Sequence, residues 1–144
     1  MMTGETDLSI LLGSMSPVLH EEEYVFISVD GNYGDHAYLE PLCSFQEKEG
    51  LSLIISKQRA VEHGYASGDI FKVITLEVHS SLSAVGLTAA FATVLSEAGI
   101  SANVVAGYYH DHIFVQTEAA EKALKALKEL SGPHAGCRQS CPRG

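Results

Sequence analysis

Basic residues are scarce in this chain. Nine Lys and Arg stand against 18 Asp and Glu, for a formal charge of −9 at pH 7. Nucleic-acid binders take most of their affinity from a basic surface that neutralises phosphates, and no such surface can be built here. No apolar run is long enough to span a bilayer. The first residues, MMTGETDLSILLGSMSP, carry acids where a signal peptide carries Lys or Arg, so a cytoplasmic protein without a membrane partner is expected. Cysteine occurs three times. Cys43 sits among apolar neighbours in an expected strand and reads as a buried free thiol. His134, Cys137 and Cys141 form an H-x2-C-x3-C cluster that lacks a fourth ligand nearby, so no metal is assigned to it.

What is present is an ordinary globular composition, 46% hydrophobic and 19% charged over 144 residues. That length holds one domain or two small ones sharing a core. The turn-forming run Gly64–Asp69 divides the chain near residue 68. In the first part, Thr6 or Asp7 caps a short helix with Leu8, Leu11, Leu12 and Met15 on one side, and Pro17 ends it. Tyr24–Val29 is a strand, DGNYGDHAYLEP a loop, and Leu42–Gln46 with Leu51–Ile55 a hairpin turning at Gly50. Ser56 caps a helix over Lys57–His63.

The second part reads more sharply. Phe71–His79 alternates as a strand, with Ile74, Leu76 and Val78 on one face and Thr75, Glu77 and His79 on the other. Ala84–Ala98 is a helix stopped by Gly99, Ile100–Tyr109 and His112–Gln116 are strands, and Thr117 caps a helix over Glu118–Leu130. Residues 132–144 read as a disordered tail. The order β-α-β-β-α implies an antiparallel sheet with both helices on one face. The first part shows α-β-β-β-α.

Between Ser80 and Ser96 there is no charged residue. A helix N-terminus leaves backbone N–H groups unpaired and partly positive, and the missing acids keep that end free for an anion such as an amino-acid carboxylate. Ser83 as a plain cap and Gly86 as a packing glycine explain the same residues without a ligand, so both readings stay open.

The run ITLEVHSSLSAVGLTAAFATVLSEAGISANVVAGYYHDHIFVQ resembles an ACT domain, the regulatory module of aspartate kinases and other enzymes of amino-acid metabolism. The hairpin CSFQEKEGLSLIIS is similar to the E-x-E-G-[LI] hairpin of ACT-like halves. The resemblance covers about residues 5 to 130, and the whole resembles small bacterial proteins with two ACT-like halves. It implies an α+β fold of two ferredoxin-like βαββα halves, 1–68 and 69–131, with antiparallel sheets and helices on one face. It further implies a ligand, typically an amino acid, where a strand-to-helix turn meets the second strand of a neighbouring unit. By position that places Ser80, Ser81, Leu82, Val85, Gly86 and Leu87 on the turn, with Asn103 and Val104 on the strand. An acid of the Asp30–Asp35 loop is a further candidate, for the amino group.

The expected function is a non-catalytic regulator that binds a small molecule, works without a cofactor or metal, and pairs as a homodimer through exposed sheet edges. With no enzyme portion in this sequence, its output passes to another protein or through its own oligomer. Two alternatives are a ligand-free interaction module and a metal-dependent enzyme. The module requires that no ligand-sized pocket lie between the halves. The enzyme would use His110, Asp111 and His112, with His36 or Asp35 as third ligand. A nucleophile built from His79 and Ser80 or Ser81 lacks a third orienting group.

Overall fold

The computed structural model describes residues 12–65, 68–77 and 86–143, with side chains to Ser131. Among them seven strands form one sheet. In chain order these are β1 (Ser16–Leu19), β2 (Tyr24–Val29), β3 (Cys43–Gln46), β4 (Leu51–Ser56), β5 (Phe71–Glu77), β6 (Asn103–Ala106) and β7 (Asp111–Gln116). Residues 12–14 are helical, and the helices that follow are α1 (Tyr33–His36), α2 (Lys57–Glu62), α3 (Leu87–Glu97) and α4 (Ala120–Arg143).

The strand order β3-β4-β2-β5-β7-β6 runs outward in the same sense from the β2/β5 junction. Each half is therefore a βαββα unit, β2-α1-β3-β4-α2 and β5-α3-β6-β7-α4. This corrects the expected α-β-β-β-α order of the first half, because the DGNYGDHAYLEP segment is helical rather than a loop. Asn32 accepts from the Asp35 amide while the Asp35 carboxylate accepts from the Asn32 amide, a capping box that starts α1. A 3-10 turn over Ala37–Leu39 follows and buries Leu39 completely.

β1 was not foreseen. The helical residues 12–14 stop before Pro17, which itself lies inside a strand, opposite Leu76. A proline has no N–H to donate, yet among the described residues β1 pairs with β5 alone, so its other side is an edge where proline is tolerated. β1 and β2 both run along the same side of β5, the first opposite Ile74–Glu77 and the second opposite Phe71. The first strand of the chain thus completes the second half.

Two cores lie on the helical face of the sheet. In the second half Ile74, Leu76, Ile113 and Val115 pack beneath Leu87, Phe91 and Leu95 of α3 and Ala123 and Leu127 of α4. In the first half Val25, Val29, Leu51, Leu53 and Ile55 pack with Leu39 and Ala60. α3 stops at Gly99 as expected, with φ +76, and the Ile100 amide donates back to Leu95 O. Ile100 itself is buried in the core, which is why β6 starts later than expected, at Asn103.

Thr117 does not cap α4. Its amide and hydroxyl both donate to Ile70 O, at 2.8 and 3.1 Å. α4 runs on past Leu130 through the segment expected to be disordered, because Ser131 is still buried and donates to Met15 O at 2.8 Å.

Candidate functional site

Among the described residues, the other face of the sheet carries no helix. Ile54, Val73 and Phe114 are buried on it, with Tyr24, Cys43, Phe71 and Val105 packed around them. Strand alternation dictates this set: on β5 residues 71, 73 and 75 point away from the helices, and on β7 residues 112, 114 and 116 do. Tyr24 and Phe26 of β2 meet Phe114 of β7 edge-on, with ring centroids 6.1 and 5.6 Å apart, and Phe26 also lies against Phe71 at 4.9 Å.

The antiparallel sheet curls around a cavity of about 750 Å³. Val73 and Thr75 of β5, Val105 of β6, and His112 and Phe114 of β7 form one wall. Tyr24 of β2 and Leu42 and Cys43 beside and on β3 form the opposite wall. His20, Glu21 and Glu22, which link β1 to β2, close one end. Cys43 is half-buried rather than buried.

Thr75 is the polar centre. It is 6% exposed, and its Oγ1 lies 2.9 Å from His20 Nε2 and 3.0 Å from His112 Nδ1. The arrangement follows from register: Thr75 is opposite His112 on β7, and on its other side the His20 amide donates to Val73 O. Burial holds the His112 imidazole below its ordinary range, and the nearby His110 and His20 rings push the same way. Asp111 opposes them, more weakly than burial and His110. On the opposite wall burial, helped by the Glu22 carboxylate, raises the Tyr24 phenol. Gly107, after β6, makes the close approach of the hairpin possible. A Cβ there would stand 2.8 Å from His110 O and 3.0 Å from His112 Nε2.

Profiles of the ACT domain match residues 3–72 and 68–129. A crystal structure from Vibrio cholerae, a protein of unknown function described as a possible transport protein, is 54% identical with a TM-score of 0.84, over 90% of this chain and 99% of that one. The chain belongs to the ACT-domain family. The regulatory subunit of aspartate kinase from Thermus thermophilus, in ligand-free form, shares the fold at 11% identity and a TM-score of 0.58, over 81% of this chain and 98% of that one. Aspartate kinase from Clostridium acetobutylicum does so at 12% and 0.59, over 81% of this chain but 34% of its own. No curated protein sequence matches the chain.

ACT domains are regulatory modules, and this protein has two of them on one sheet. Of the turn residues implied by the ACT resemblance, Ser80, Ser81, Leu82 and Val85 lie outside the described residues. Gly86, not Ser83, is the N-cap of α3; it has φ +98 and no side-chain cap. Leu87 is 7% exposed and packs into the core of its ACT unit. Asn103 and Val104 are exposed on the edge strand β6, where Asn103 Nδ2 donates to Phe114 O at 3.4 Å.

The metal-enzyme alternative loses its proposed third ligand. His36 donates from Nε2 to Asp30 O at 2.6 Å and Asp35 is held in its capping box, both in the first ACT unit. Among the described residues no three His, Cys, Asp or Glu converge as a metal site. His79, His134, Cys137 and Cys141 lie outside the described side chains. Among the described residues no helix is long and apolar enough to cross a membrane.

Sequence reasoning placed Thr75 on the helix-free face but did not see the site. His20 sits in an HEEE run that looks like solvated surface, and His112 read as part of a hairpin tip. Two histidines flanking a buried threonine, one from the β1–β2 link and one from β7, can be found only once the register is known.

Proposed function

We propose that this protein is a non-catalytic cytoplasmic regulator whose two ACT units receive a small molecule, an amino acid, in the cavity on the helix-free face. The observation that carries this reading is the origin of the walls. Tyr24, Leu42 and Cys43 come from the first ACT unit, and Val73, Thr75, Val105, His112 and Phe114 from the second. A ligand touching both favours one curl of the shared sheet over another, and differential binding of this kind is what shifts a conformational equilibrium. A pocket of this size also speaks against a ligand-free interaction module. The output passes to another protein through a homodimer whose exposed edges are β3 and β6.

The strand-to-helix turn remains a second proposed contact zone, comprising Ser80, Ser81, Leu82, Val85, Gly86 and Leu87 with Asn103 and Val104. Thermal-shift measurements against the standard amino acids and common nucleotides test the function. An amino acid at millimolar concentration should raise the melting temperature. Val105→Phe, which fills the cavity, should abolish that rise if the cavity is the site, and Asn103→Ala should abolish it if the turn is. No stabilisation by any of these compounds would sink the proposal.

A further inference from the structure

The hydrogens of the His20–Thr75–His112 chain can be counted, given that the cavity is a small-molecule site. Thr75 Oγ1 has one hydrogen and lies between two ring nitrogens, His20 Nε2 and His112 Nδ1. With both rings neutral, one of those nitrogens donates to Oγ1 and the other accepts from it. Each neutral ring carries a single N–H, so the two outer nitrogens, His20 Nδ1 and His112 Nε2, are always one donor and one acceptor. One added proton makes both outer nitrogens donors and leaves both bonds to Thr75 intact. A second proton would make both rings donate to Oγ1 and strand the hydroxyl hydrogen. The chain is built to hold one extra proton and no more.

Among the described residues that line the cavity none is Lys or Arg, so an anion entering it has only these imidazoles to meet its charge. We propose that the His20–Thr75–His112 chain is the seat for the carboxylate of the cavity's ligand, and that filling the seat draws one proton from solvent onto the two rings. The charged and titratable groups around the seat fit a zwitterion with an apolar side chain. Glu21 and Glu22, on the link from β1 to β2, lie where an ammonium group is matched. Val73, Val105 and Phe114 offer an apolar bed. His110 and Asp111 flank His112 from the hairpin with opposite effects on its charge, while Tyr24 and Cys43 stand on the far wall. In the empty seat, burial and the neighbouring His110 and His20 rings hold the His112 imidazole below its ordinary range, and a carboxylate on the seat reverses that balance. Binding then tightens as pH falls, by up to about tenfold per unit within the window between the empty and filled midpoints.

The test follows the ring signals of His20 and His112 by NMR through a pH titration. It uses 4-methylpentanoate as the carboxylate probe and 3-methylbutylamine as the matching amine, on the full chain. The carboxylate should raise the joint titration midpoint by about two units, a hundredfold change in proton affinity, and the amine should not. Calorimetry in buffers of different ionisation heat should show about one proton taken up per carboxylate bound. Thr75→Val should make the two rings titrate independently and remove the uptake. Should the valine variant not fold, His20→Gln, at an exposed position, should leave His112 to titrate alone, without the joint midpoint of the wild type. If an amino acid stabilises the protein while neither ring responds, the inference falls and the regulatory reading stands. If the rings respond to the carboxylate but no amino acid stabilises the protein, the regulatory reading falls instead. Silence in both overturns both.

Discussion

Tyr24 stands opposite Phe71, and that single registered pair is where β2 of one ACT unit meets β5 of the other. Both rings lie on the helix-free face, within the group that also holds Phe114. Tyr24 thus belongs both to the junction of the two units and to the wall of the cavity. Loosening the aromatic group should loosen the junction. Phe114 is 2% exposed, so Phe114→Ala should cost about 3–5 kcal/mol in urea denaturation.

Acid should act through His112. Its imidazole is held below the ordinary value near 6.5, so around that pH the unfolded chain binds more protons than the folded one. Stability rises with pH under that condition. This contribution is fully present above the ordinary value and is lost progressively as pH falls from there to the depressed value. Chemical denaturation of wild type and His112→Gln across pH 5 to 8 should show the difference between them shrinking in this acid range.

Thr75→Val removes a buried hydroxyl that two rings share. A loss of about 1–2 kcal/mol is expected, since the rings keep some access to solvent on the cavity side. A stability unchanged within experimental error would show that the chain is not formed in solution.

Gly107→Ala should be worse than its small volume suggests. The new methyl would meet backbone at 2.8 Å, and His110 O cannot give way without opening the β6–β7 hairpin. Hydrogen exchange confined to residues 103–116 should rise, and the His112 ring signals should move.

Ser131→Ala tests the tie between α4 and the residue before β1. Loss of the 2.8 Å bond to Met15 O should cost about 1 kcal/mol. Amide protection of β1 should fall before that of β7.

The second ACT unit was legible because its elements are long and strictly periodic: Phe71–Glu77 alternates, and α3 shows an unbroken apolar stripe ending at Gly99. The first unit was legible as a strand, a hairpin and the Ser56-capped helix α2. α1 is four residues long, and its start is written in Asn32 and Asp35 alone, a signal hidden among glycines that suggest a loop. β1 was masked by Pro17, whose usual meaning is reversed at a sheet edge. The cavity lay beyond sequence because it depends on which strands are neighbours. Nothing local in HEEEYVF says that His20 will stand beside Thr75.

The placement of β1 has a consequence for how the protein is made. Its partners in β5 are synthesised only after the whole first ACT unit has been made, so this strand waits, unpaired, for much of translation. Cutting the gene between the two units would leave each product incomplete, one with a stray strand and the other with a bare edge. Duplication or exchange of whole units must therefore carry that leading strand across the boundary, and a simple tandem copy would not reproduce this sheet.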